Sequence, residues 1–299
     1  MSKKLLSLVL MGLLAMSLAA CSSDKATEEA TTDTATEEVA TEETAAPEML
    51  AAGENSLGFP SSSTDLVAGD HAFTPDYDTA TKLRTKGGDV TYINYNFVEV
   101  VTPGDLETTV KDSWGSEGKK EYVVPNSFML PVPKGAKASK GDIVITPWVT
   151  SMMRALVTEG DKTTTPKVTW IEDVEDIKKI DADTFVVLSK EWQGGTTVAC
   201  KSDGSDYELA TLISMVGDDI LANGWANSPK IYSKSKCKAV PIAPSVKEGD
   251  TAYVAPFGTF EAGTVKAVKA DDGKVVVEYE FAGEMKEEKF TFGDILLSL

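Results

Sequence analysis

Histidine is almost missing from this 299-residue chain: His71 is the only one. A histidine-dependent catalytic triad is thereby excluded unless His71 itself belongs to it. Beside Asp70 in an alternating segment, His71 reads as an ordinary surface strand residue. Cysteine is scarce too, with three in all. Once Cys21 is set aside, the remaining two and one histidine do not give a zinc-ligand spacing. Positive charge is in short supply, 29 Lys and Arg against 47 Asp and Glu, for a formal charge of −18. So acidic a chain is repelled by phosphate backbones, which removes nucleic acid from its partners. No run reaches the roughly 18 apolar residues that a spanning helix needs, and no phosphate-binding glycine loop is present. Asp218-Asp219 and Asp271-Asp272-Gly273 fall between strand-like runs, where hairpin turns account for them, and neither has EF-hand spacing. The expectation is a protein that is not an enzyme and carries no cofactor or metal.

What is present starts at the N-terminus. Lys3 and Lys4 precede an apolar stretch over residues 5–18, and Leu18-Ala19-Ala20-Cys21 follows. A charged start, a short apolar centre and small residues make an export signal. Its last four residues resemble the lipobox of bacterial lipoproteins. That resemblance implies removal of residues 1–20, acylation of Cys21 on its thiol and new amino group, and a membrane partner reached through lipid. Several acyl chains give the stable anchoring that one chain gives only marginally. Ser22 and Ser23 follow, not the aspartate that commonly retains lipoproteins in an inner membrane, so in a diderm cell the expected place is the outer membrane.

After cleavage 27 basic residues face 47 acidic ones. Residues 22–47 are almost entirely Thr, Ala, Glu and Asp, without aromatics and with Val39 as the only large aliphatic residue. Such a stretch cannot bury enough apolar surface to offset chain ordering. Residues 21–65 are expected to form a lipidated, acidic, disordered tether with a reach of roughly 35–40 Å.

The remainder repeats. Gly69-Asp70-His71-Ala72-Phe73-Thr74-Pro75 is echoed by Gly141-Asp142-Ile143-Val144-Ile145-Thr146-Pro147. It returns as Gly249-Asp250-Thr251-Ala252-Tyr253-Val254-Ala255-Pro256, and a weaker copy begins at Gly194-Gly195-Thr196-Thr197. Each phrase leads through a strand-like run and a polar turn to a run carrying an aromatic: Tyr92, Trp170, Trp225 and Tyr279. The units are expected at 66–133, 138–189, 193–241 and 246–299. Period-two alternation and no long helical period make the fold class all-β, with small barrels whose closure hides sheet edges. Cys200 and Cys237, an isolated pair in an oxidising envelope compartment, read as a disulfide.

These units resemble the SH3-like barrels of the Tudor and agenet type. The residues that carry the resemblance are Gly141-Asp142, Trp148, Ala155 to Val157 and Trp170 in the second unit. In the fourth they are Gly249-Asp250, Phe257, Phe260 to Val265 and Tyr279. The resemblance implies tandem SH3-like barrels and aromatics that line a groove. It nominates Trp148 with Trp170, and Phe257 or Phe260 with Tyr279, for a peptide or glycan; the same rings could instead cap the barrel cores. It also implies that first and last strands lie close, which brings Cys200 and Cys237 within bridging range. The function expected is an envelope lipoprotein whose repeats bind another envelope protein or a cell-wall peptide or glycan. The alternatives are a small-molecule or metal-binding lipoprotein associated with transport, and a structural spacer without a specific ligand.

Overall fold

The recurring Gly-Asp phrases are turns. The structure is a computed structural model and describes residues 47–113, 120–149, 151–170, 177–202, 204 and 206–299. The amides of Asp70, Asp142 and Asp250 donate to the carbonyls of Val67, Ser139 and Lys247, three residues back, at 3.0, 3.0 and 3.2 Å. Each aspartate side chain then accepts the N–H of that same residue, at 2.9, 2.7 and 3.0 Å. Gly69, Gly141 and Gly249 hold the third turn position at φ +82°, +92° and +86°, a left-handed conformation that favours glycine. In the weaker copy Gly195 takes φ +94°, and the Thr196 hydroxyl donates to the Gln193 carbonyl at 2.8 Å. The phrase is thus a local device for starting a strand.

Each turn opens a five-part antiparallel meander in which the last part pairs back onto the first. The first contains β1 (His71–Pro75), β2 (Tyr95–Thr102), β3 (Glu107–Asp112), β4 (Glu121–Pro125) and β5 (Leu130–Val132), in spatial order β5-β1-β2-β3-β4. The second contains β6 (Ile143–Trp148), β7 (Ser151–Glu159), β8 (Lys167–Trp170), β9 (Ile177–Lys179) and β10 (Val186–Val187), in the equivalent order. β11 (Thr197–Cys200), β12 (Glu208–Val216), β13 (Asp219–Gly224), β14 (Pro229–Ser233) and β15 (Cys237–Ala239) form the third. The fourth has β16 (Thr251–Val254), β17 (Glu261–Lys269), β18 (Lys274–Phe281) and β19 (Glu284–Thr291). A single bridge between Tyr253 and Leu296 takes the place of its fifth strand.

The pairing of second strand with third slips once in every meander, after Val100, Val157, Leu212 and Val265. Those four residues are also the ones that the opening turns bind. Val100 donates to the Asp70 carbonyl and accepts from Gly69, and Val157, Leu212 and Val265 do the same with their own turns. A bulge bends its strand, so turn and bend are pinned together.

All-β is the class of this fold. Among the described residues the single α-helix is α1 (Tyr77–Leu83), seven residues capped by the Asp76 side chain accepting from the Thr79 amide. So short a helix leaves no readable period in the sequence. No sheet closes into a barrel among the described residues: each meander stays open between its fourth strand and its fifth. In three of them a 3-10 turn carries the chain across that gap, at Asn126–Phe128, Lys234–Lys236 and Phe292–Asp294.

Two expectations need correction. The aromatic run Asp89-Val90-Thr91-Tyr92 is not a strand; the third strand of the first meander is β3. The Ile93 amide next to that run bonds instead to the Asn227 carbonyl of the third meander, at 2.9 Å. A tether is expected to reach residue 65, but residues 47–65 pack on the first meander. Phe59 is buried edge-on against Phe128 at 6.1 Å, and the Asn55 side chain bonds both the carbonyl and the amide of Phe59. One buried ring supplies the anchor that composition averages away. Residues 1–46, with Cys21 and the export signal, lie outside the described residues.

The meanders share core. Ile143, Ile145, Leu156, Val186 and Leu188 of the second, with Ile213 and Leu221 of the third, join the apolar cluster of the first. Asn96 of β2 pairs with Ser151 of β7, which merges two meanders into one ten-stranded sheet. Arg154 of β7 binds the Asp294 carboxylate and donates to the Thr197 hydroxyl at 2.7 Å, tying the second, third and fourth meanders at one point.

Candidate functional site: exposed aromatics on strained turns

Trp148 and Trp170 meet, with ring centroids 6.3 Å apart and planes tilted by 50°. Strand register explains why. Trp148 pairs with Ser151 and Trp170 with Ala155, so both side chains leave the sheet on the face that Ala155 and Val157 occupy. Their environments differ. Trp170 is buried among Val144, Ala155, Val168 and Phe185, whereas Trp148 is 46% exposed at the mouth of that core. The hairpin that presents Trp148 turns through Val149 at φ +60°. A β-branched residue is an outlier there, and such strain costs about 1–3 kcal/mol, which tends to be tolerated at functional positions.

The fourth meander departs from the expected pairing. Tyr279 stands opposite Gly263, as Trp170 stands opposite Ala155, each two residues before the bulge. It is buried against Phe290 at 6.0 Å. Desolvation pushes its phenol up to about 12, and the carboxylates of Glu288 and Glu261 add to the effect. Phe260 is buried beside Ala199, Val240 and Leu296. Only Phe257 reaches the surface, and it stacks on Phe281 at 4.2 Å, not on Tyr279. The Lys286 ammonium lies 4.3 Å from the Phe281 ring centre and 5.9 Å from that of Phe257. This slot already holds a cation of its own. Phe281 and Lys286 escape a linear reading because the β18–β19 register alone brings them to one face.

Among the described residues three further aromatics are exposed: Trp225, Tyr92 and Tyr77, the last lying under the Lys120 ammonium at 3.3 Å. Trp225, 59% exposed, sits on a turn whose next two residues, Ala226 and Asn227, take φ +54° and +58°. Its indole rests on Gly258, where a Cβ would come within 3.1 Å of it. Tyr92, 50% exposed, accepts a hydrogen bond on its hydroxyl from Asn227 Nδ2 at 3.2 Å. The sequence signal for Trp225 is its setting: an aromatic among Gly224, Asn227, Ser228 and Pro229 belongs to a turn with no core to enter.

The disulfide between Cys200 and Cys237 is present, joining directly opposed residues of β11 and β15 with Cα atoms 4.1 Å apart. His71 stacks on Phe97 at 4.9 Å and is half-buried, not a free surface residue. Among the described residues no three His, Cys, Asp or Glu side chains converge as metal ligands would. No helix among them is long and apolar enough to cross a membrane. Comparison with protein-family models finds no match, and comparison with curated proteins finds none.

Proposed function

We propose that this chain is a lipid-anchored, non-catalytic binding protein of the bacterial envelope, built from four tandem SH3-like units on an acidic tether. The shared strand order, the bulge at one place in every meander and the turn bonded to it support the SH3-like reading. Acylation at Cys21 would hold the body at a membrane, the outer one in a diderm cell. The ligand is another envelope protein or a cell-wall peptide or glycan. One observation carries the binding reading: Trp148 is held half in solvent, over a buried Trp170, by a turn that its own sequence strains. Large exposed aromatics on rigid supports are the usual anchors of recognition surfaces.

The test is crosslinking of the full lipidated protein in its own envelope, followed by mass spectrometry of captured proteins and wall fragments. Trp148→Ala, folded as judged by an unchanged melting transition, is expected to lose the captured species. Equal capture by wild type and variant would remove Trp148 from the interface and with it the basis of the reading. The same digest should yield an N-terminal peptide starting at an acylated Cys21; an unmodified residue 21 would overturn the anchor.

A further inference from the structure

Trp148, Tyr92 and Trp225 come from three different meanders, yet strand pairing, side-chain hydrogen bonds and one extended segment connect them in a single series. Trp148 pairs with Ser151 across the β6–β7 hairpin, and Ser151 pairs with Asn96 of β2. Cross-strand partners share a sheet face, so these three side chains lie on one side. Asn94 Nδ2 donates to both Asn96 Oδ1 and Ser151 Oγ, each at 3.1 Å, which places Asn94 on that side too. Tyr92 is one further step of two along the extended segment, in which Ile93 and Tyr95 are buried and Tyr92, Asn94 and Asn96 are not. From the Tyr92 hydroxyl the series passes to Asn227 and so to the Trp225 turn. That turn is braced: the Ile93 amide bonds the Asn227 carbonyl at 2.9 Å, and Asn223 Nδ2 bonds the Ile93 carbonyl at 3.0 Å.

The chemistry of this strip is narrow. It alternates aromatic rings with amides and a hydroxyl, and none of its seven residues, Trp148, Ser151, Asn96, Asn94, Tyr92, Asn227 and Trp225, is charged. That is unusual on a chain whose formal charge is −18, and it selects against an ionic ligand. The side-chain bonds use the Asn94 amide protons and the Asn96 carbonyl. Asn96 Nδ2, Asn94 Oδ1 and the Tyr92 hydroxyl proton have no partner among the described residues, so donors and an acceptor are left for a ligand. Rings take up apolar C–H faces, while amides satisfy neighbouring hydroxyls that point sideways. The span from Tyr92 to Asn96 alone is about 13 Å, and two strand steps separate Asn96 from Trp148. A single sugar ring is too short for it.

We infer that this strip is a binding site for an uncharged oligosaccharide, recognised by ring stacking at Trp225, Tyr92 and Trp148 and by the Asn94–Asn96 amides between them. The inference rests on the binding reading above and narrows its ligand to a neutral glycan chain.

The test titrates the full chain with three neutral tetrasaccharides (a β-linked N-acetylglucosamine tetramer, cellotetraose and maltotetraose) and with a uronic acid tetramer, by calorimetry and tryptophan fluorescence. At least one neutral chain is expected to bind with a Kd between micromolar and millimolar, with no detectable binding of the acidic one. Trp225→Ala and Trp148→Ala should each weaken binding tenfold or more, and Tyr92→Phe, which keeps the ring and loses the hydroxyl, severalfold. Met285→Ala, an exposed residue of β19 outside the strip, should leave binding unchanged. Unchanged melting transitions separate these effects from unfolding. Silence with every neutral chain, preference for the acidic chain, or binding indifferent to Trp225→Ala and Trp148→Ala would each overturn the inference. If glycans fail while envelope crosslinking still depends on Trp148, the ligand is a protein or peptide and the binding reading survives. If both fail, neither stands.

Discussion

Single residues show how much one atom can weigh in this fold. Gly69 and Gly195 occupy equivalent turns, but a Cβ on Gly69 would meet nothing within 4 Å, whereas one on Gly195 would lie 2.6 Å from Ile145 Cγ1. Gly69→Ala is therefore expected to cost about 1 kcal/mol, the left-handed backbone alone. Gly195→Ala adds overpacking and should cost about 3 kcal/mol. Chemical denaturation of the two variants separates these values, and equal losses would refute the packing account. Asp70 offers a pH test. The Lys134 ammonium, then the Val67 amide, hold its carboxyl below the usual 3.8. A depressed folded-state pKa means that the stabilisation is complete above 3.8 and lost as pH falls through the lower, folded value. The gap in Tm between wild type and Asp70→Asn should hold steady at neutral pH and close in that acid window. A gap independent of pH would mean that charge is not the cause.

At the scale of elements, what was legible in the sequence was local. The three Gly-Asp turns fix their own hydrogen bonds within four residues, and each is followed directly by a strand, β1, β6 or β16. The Cys200–Cys237 bridge, expected from an oxidising compartment and from the SH3-like resemblance, is present. What escaped depends on register between distant strands. The residue standing where Trp170 stands in the second meander is Asp112 in the first and Gly224 in the third. Tyr92 and Trp225 were thus read as strand aromatics when they are surface residues beside strands. The slot of Phe257, Phe281 and Lys286 and the burial of Phe59 are likewise products of long-range pairing. The third meander has a threonine where its siblings have the turn aspartate, and it alone carries a disulfide. Replacing both cysteines by alanine should cost about 3–4 kcal/mol, the loop-entropy value for a separation of 37 residues. A loss under about 1 kcal/mol by denaturant titration would show that the bridge is not what holds this meander.

The four meanders form a single compact unit because their parts exchange core. Arg154 and Asp294 are 17% and 14% exposed and belong to the second and fourth meanders, with Thr197 of the third between them. Removing one partner strands the other charge. Arg154→Ala is expected to cost about 2–3 kcal/mol and to lower the single cooperative melt of all four meanders together. Splitting of that melt into separate transitions would instead show that the meanders fold independently.

The way the chain enters this body also matters for load. From residue 47 onward it is held to the helix region first by the Lys86 amide on the Glu48 carbonyl, then by the Leu50 amide on Arg84, then by the Ser56 amide on Leu83. Phe59 follows, locked in the core. A pull applied at residue 47 would open these bonds one at a time before reaching any meander. Residues 47–58 would act as a mechanical fuse, lengthening under tension while the aromatic strip keeps its shape.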